Sequence, residues 1–229
     1  STGATASLSG NGGAVDFDLT GLDKVTAITF TGDQNVRAIV SGADIDGNAN
    51  LTALADAITV TDNTTAGTTT LEVNAIGTIN TSLINSDVID ISIDFDNDAI
   101  TTGAAQTLMF SVDQTAGTAA PNIVGPATTA SSNTLTVNLD DGAYTAAGAV
   151  DAVLNIDNIK TTTINANDPI TASTLTSIDV GTANDLVVTS TGKGVAFAGT
   201  SIANKLTLTT PTATTVGTAH TINELDASG

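Results

Sequence analysis

Short runs in which apolar and polar residues alternate recur from one end of this chain to the other, and that pattern limits the fold more than any other feature. Examples are "AVDFDL" from Ala14, "VTAITFTG" from Val25, "TTLEVNAI" from Thr69, "TLTVNLDD" from Thr134, "TTTINAND" from Thr161 and "LTLTT" from Leu206. A strand points successive side chains to opposite faces, so each run can bury one face and solvate the other. Many runs begin about ten to twelve residues after the last, the spacing of a sandwich, a barrel or a β-solenoid. The expected fold is all-β: a β-solenoid of stacked β-rungs, with tandem β-sandwich domains as the alternative. Roughly ten coils at about 4.8 Å each are anticipated. The one helical pattern is "NANLTALADAI", Asn48 to Ile58, enough for about two turns.

The kinds of residue agree with narrow, repetitive β-cores. There is no Trp, one Tyr and five Phe among 229 residues, so the filling must come from Ala, Val, Ile and Leu. Thr is roughly a fifth of the chain and favours half-buried pleated faces, while 21 Gly supply turns. Pro121 and Pro126 stand in a stretch of Ala, Gly, Thr and Ser from Gln114 to Asn133, which reads as a break. The expected division is therefore an N-terminal β region, 1–123, and a C-terminal solenoid-like region, 124–229.

Charge narrows the functional classes. The formal net charge is −19, from 24 acids against five bases, which opposes both nucleic-acid binding and docking on anionic lipid. No apolar run is long enough to span a membrane, so no membrane insertion is expected. No Cys is present, so disulfides and Cys-based metal or redox sites are ruled out. Ser1 and the ending "TINELDASG" suggest a processed chain or a piece of a longer one.

Two late segments share a skeleton: "LTSIDVG" from Leu175 to Gly181 and "INELDASG" from Ile222 to Gly229, which places Asp179 and Asp226 in equivalent positions. After the first comes "TANDLVVTSTGKGVAFAG", a strand, a Gly turn and another strand, as one solenoid coil would look. These residues resemble the repetitive β-solenoid regions of bacterial S-layer proteins and related type I-secreted, RTX-type surface proteins. A typical phrase of those regions, "LTxIDASG" followed by "LTVT", is similar to Leu175–Ser190 and Ile222–Gly229, and the Cys-free Thr/Ala/Asp/Gly composition is similar over essentially the whole chain. The nonapeptide GGxGxDxUx is missing; "GGAVDFD" from Gly12 has only its first two glycines in place. The resemblance implies an extracellular, lattice-forming or adhesive surface protein.

Of the 24 acids only Glu72 and Glu224 are Glu, and short carboxylates suit turns or hard-cation ligation. In "DIDGNAN" the residues Asp44, Asp46, Asn48 and Asn50 alternate and could aim oxygens to one side of a tight turn for Ca²⁺. It is not an EF-hand, because the Gly falls at the fourth position and Ala55 at the twelfth; an Asx-rich turn explains the same residues. In "DFDND", Asp94, Asp96 and Asp98 form an acidic stripe, with Asp90 on the same parity, that a cation or solvent must screen. Asp16 with Asp18, Asp140 with Asp141, and Asp157 are further acidic turns.

Catalysis has little to draw on. His220 is the sole histidine, without triad-like spacing, and sugar-stacking aromatics are nearly absent. Lys160 and Lys205 have Asn nearby, as pilin-type Lys–Asn cross-links need, although a surface lysine is the plainer reading. Sequons at Asn50, Asn63 and Asn80 would suit an exported protein. The expected function is structural: a non-enzymatic subunit that self-associates into a lattice ordered by Ca²⁺, with a cell-envelope glycan as a further partner. Alternatives are a pilus subunit polymerising by strand donation, with "STGATASLSG" as the donated segment, and an adhesin module.

Overall fold

In the computed structural model, the residues described are 4–20, 25–41, 53–54, 59–74, 78–92, 99–111, 122–126, 133–139, 152–166, 173–190, 195–197, 201–209, 215–216 and 220–226. They are all-β, and every pairing within the two compact units, residues 1–93 and 94–229, is parallel. Parallel in-register pairing along the chain defines stacked rungs, and it excludes tandem sandwiches, which are built from antiparallel sheets.

Among the described residues, the first unit has three ladders. One joins β1 (Ala4–Gly10), β3 (Val25–Gly32) and β6 (Thr59–Thr64). A second joins β2 (Val15–Asp18), β4 (Val36–Ser41), β7 (Thr69–Asn74) and β9 (Val88–Ile91). A short third joins β5 (Ala53–Leu54) to β8 (Thr78–Asn80). Alternation gives the longer ladders their core: Phe17, Ala38, Leu71 and Ile89 form one inward column, and the last three are buried. Of the stretch expected to be helical, only Ala53–Leu54 is described. It is a strand, because pairing with Thr78–Ile79 outweighs a weak local helix pattern.

The second unit has a ladder of six. Its strands are β11 (Ala105–Phe110), β13 (Thr134–Leu139), β15 (Thr161–Ala166), β17 (Asp185–Thr189), β19 (Ser201–Thr209) and β21 (His220–Asp226). Inward, Leu108, Val137, Ile164, Val188 and Leu208 stack as one buried aliphatic column. Beside it run β10 (Ala99–Thr101), β12 (Asn122–Val124), β14 (Ala152–Asp157) and β16 (Ser173–Asp179). This second ladder continues into the first residues of β19 and β21, while β18 (Val195–Phe197) and β20 (Thr215–Val216) extend the start of β16.

The break anticipated near Ile123 falls on β12, where Ile123 is buried and paired with Ile100 on one side and Ile156 on the other. Among the described residues each coil consumes two strands in the second unit and two or three in the first, and the longest ladders hold four strands in the first unit and six in the second, in keeping with the roughly ten coils anticipated. Asp179 and Asp226 are not equivalent: Asp179 stacks on Asn155 and Ile202, whereas Asp226 stacks on Thr207 in the neighbouring ladder.

Candidate functional site

The Asp44, Asp46, Asn48 and Asn50 loop and the Asp94, Asp96 and Asp98 stripe both lie outside the described residues, as do Asp140 and Asp141. Among the described residues, no group of three or more His, Asp or Glu side chains is arranged to hold a metal. What the structure does bring together are three polar constructions that local reading of the sequence did not reveal.

The first is an ion cluster that bridges two adjacent columns on the outward side of the β2–β4–β7–β9 ladder, one through Asp16 and Arg37 and the other through Ile39, Glu72 and Asp90. Asp16 pairs in register with Arg37, and Glu72 pairs with Asp90. The Arg37 guanidinium forms an ion pair with Glu72 and lies 3.9 Å from Asp16. These outward positions are nonetheless covered: Glu72 is 9% exposed and Asp90 1%. A charge so far from water persists only with a charged or hydrogen-bonding partner, which gives Arg37 its role here.

The second sits at the corner between β6 and β7. Asp62 follows Leu8 and Phe30 in an inward column, and Thr69 follows Val15 and Val36 in another. Both are polar residues at core positions, so they must satisfy each other. The Thr69 hydroxyl donates to Asp62 Oδ2 at 2.9 Å and accepts the Asp87 amide at 3.0 Å, while the Thr69 amide donates to Asp87 Oδ2 at 2.8 Å. Asp62 Oδ1 accepts the amide and hydroxyl of Thr64 at 2.8 and 2.7 Å. Burial alone would raise the Asp62 carboxyl, but these hydrogen bonds outweigh it and hold the group below its ordinary 3.8.

A depressed carboxylate stabilises the fold above its ordinary pKa, and that contribution fades as pH falls through the lower folded value. Asp62→Asn is therefore expected to cost about 1–2 kcal/mol at pH 7. In urea melts of both proteins the gap should narrow below pH 3.8, where the wild type loses the same charge. A gap constant down to pH 3 would mean that the charge plays no part.

The third is a set of side-chain ladders between rungs. Asn165 donates to Asn138 Oδ1 at 2.8 Å and accepts the Thr189 hydroxyl at 2.5 Å, all three in register. Asn204 donates to Asp185 at 2.8 Å. Lys160 donates to the Ala183 carbonyl at 2.6 Å and lies 3.8 Å from Asp185; Lys205 lies 2.9 Å from Glu224, which raises the lysine pKa. Both lysines thus serve as ties between adjacent rungs.

Turn acids have a recurring task. Asp18 accepts the amide of Thr20, Asp62 that of Thr64, Asn80 that of Ser82 and Asp179 that of Gly181, each two residues on. This Asx turn closes β2, β8 and β16, and at Asp62 it falls two residues before the end of β6; its signal in the sequence is Asp/Asn-x-Thr/Ser/Gly. Gly67, with φ +91°, needs its missing side chain, because a Cβ there would lie 2.4 Å from the Gln34 backbone.

These constructions fix one rung to the next, which makes a stacked-rung solenoid the class of protein that fold and polar geometry define. Comparison with protein-family models, curated proteins and solved structures found no match.

Proposed function

We propose that this chain is a structural subunit of an extracellular surface assembly, an S-layer-like lattice ordered by divalent cations. The observation that carries the reading is in-register parallel stacking in both units, reinforced between rungs by Asn138–Asn165–Thr189 and by the ion pairs of Arg37 and Lys205. A backbone tied at every rung is stiff and repetitive, as a scaffold requires. Its chemistry is that of hydrogen bonding and charge, with no catalytic role assigned.

Cations enter through charge. Copies carrying −19 repel one another, and Ca²⁺ held by Asp44, Asp46, Asn48 and Asn50, or by Asp94, Asp96 and Asp98, would lower that repulsion. Electron micrographs and light scattering of the purified chain should show ordered sheets in millimolar Ca²⁺ that disperse on adding a chelator. Replacing Asp94, Asp96 and Asp98 together by Asn should raise the Ca²⁺ concentration needed by about tenfold or more. Scattering and melting that ignore both Ca²⁺ and chelator would overturn the cation role.

A further inference from the structure

Among the described residues, each unit has a run of three paired strands whose outward side chains are all neutral, in a protein of net charge −19. In the β1–β3–β6 ladder that face is centred on Ser7, Thr29 and Thr61, which stack in register. In the second unit the first three strands of the six-strand ladder centre theirs on Thr107, Thr136 and Thr163. The flanking outward columns on these strands are again Thr, Ser, Ala, Asn and Met. Charge resumes beyond these faces: the β2–β4–β7–β9 ladder carries Asp16, Arg37 and Glu72, the β10–β12–β14–β16 ladder Asp157 and Asp179, and the last three strands of the six-strand ladder Asp185, Lys205, Glu224 and Asp226.

We propose that these two neutral faces are the lateral contacts through which copies of this chain pack against one another. The proposal rests on the assembly reading above and names its surface. At −19, like-charge repulsion opposes contact between copies, and it is weakest where no charge points outward from the approaching strands. Threonine on a parallel ladder adds a rigid, repeating pattern of methyl and hydroxyl groups every 4.8 Å or so, which a second ladder of the same period can mesh with. Three rungs by about six residues make a face of roughly 300 Å². A stable dimer needs about 800 Å² per partner, so one such contact is weak and transient. Two per chain suit an extended array, where many weak contacts hold each copy.

The test compares sheet formation by the whole chain, in Ca²⁺, across a concentration series. Thr29→Asp with Thr136→Asp puts one carboxylate on each neutral face. It should raise the concentration needed for sheets by about tenfold or more, which corresponds to about 1.4 kcal/mol per copy. Thr29→Val with Thr136→Val, which keeps neutrality and shape, should assemble as the wild type does, and so should Thr221→Asp, which adds the same charge to the other ladder. If the paired Asp variant melts early, Thr136→Asp alone is read for a partial rise. An Asp variant that assembles at the wild-type concentration overturns the surface while leaving the assembly reading intact; a wild type that never assembles overturns both. A variant that assembles normally but loses binding to cell-envelope polysaccharide gives the faces to glycan and likewise overturns the proposal.

Discussion

Arg37→Met is expected to cost about 3–5 kcal/mol, the loss typical of stripping one partner from a buried ion pair. Its guanidinium is the cation paired with Glu72 and lies nearest Asp16, and Glu72 is followed in the ladder by the buried Asp90. Methionine keeps most of the length and the apolar stem, so the change isolates the charge. Glu72 would be left as a carboxylate with little water around it, beside a second acid one rung away. Adding Glu72→Met to Arg37→Met should recover much of the stability, because an apolar pair of similar volume suits a covered site. Denaturant melts of the two singles and the double form a cycle that reads the coupling. Additive losses would show that Arg37 and Glu72 do not depend on each other.

Phe110→Ala should cost a similar 3–5 kcal/mol through the transfer term and the cavity left behind. Phe110 is fully buried and begins the inward column that continues through Leu139 to Ala166, the bulkiest residue facing progressively smaller ones. With only five Phe and no Trp in the chain, few other side chains can close such a void. In a stacked ladder each rung is held mainly by its neighbours, so the damage should spread to β13 before the distant rungs. Hydrogen exchange would then show amides of β11 and β13 opening first, while those of β19 and β21 change less. Uniform loss across the six strands would mean the unit melts as one cooperative body.

Local patterning made the strands legible. "TLTVNL" alternates on paper, and Leu135, Val137 and Leu139 are all buried while Thr134 is exposed. What the pattern lacked was register. Partners lie at uneven separations: Val15 faces Val36, Val36 faces Thr69, Thr70 faces Val88, and Ala105 faces Thr134. Coils of such different length leave no fixed period to detect. Arg37 and Glu72 therefore showed no sign of belonging together, although each is plain in the sequence. The Asp179–Asp226 comparison misled for the same reason: β21 is a single run that pairs with both ends of β19, so its final Asp belongs to the six-strand ladder and not to the ladder of Asp179. Asp62 and Thr69 were hidden differently, since both fall in strand-like runs but a polar residue there reads as outward-facing until the other half of its network is known.

Everything rests on parallel rungs in register, and the absence of Cys allows that to be measured without background. Thr136 and Thr163 are direct partners on adjacent strands, whereas Thr136 and Val187 are two strands apart in the same column. Nitroxide labels on Thr136→Cys with Thr163→Cys should sit about 4.8 Å apart at the backbone and show strong spin exchange, and labels on Thr136→Cys with Val187→Cys, at about 10 Å, should show much weaker coupling. Equal coupling in the two pairs, or none in the first, would contradict the stacked-rung arrangement.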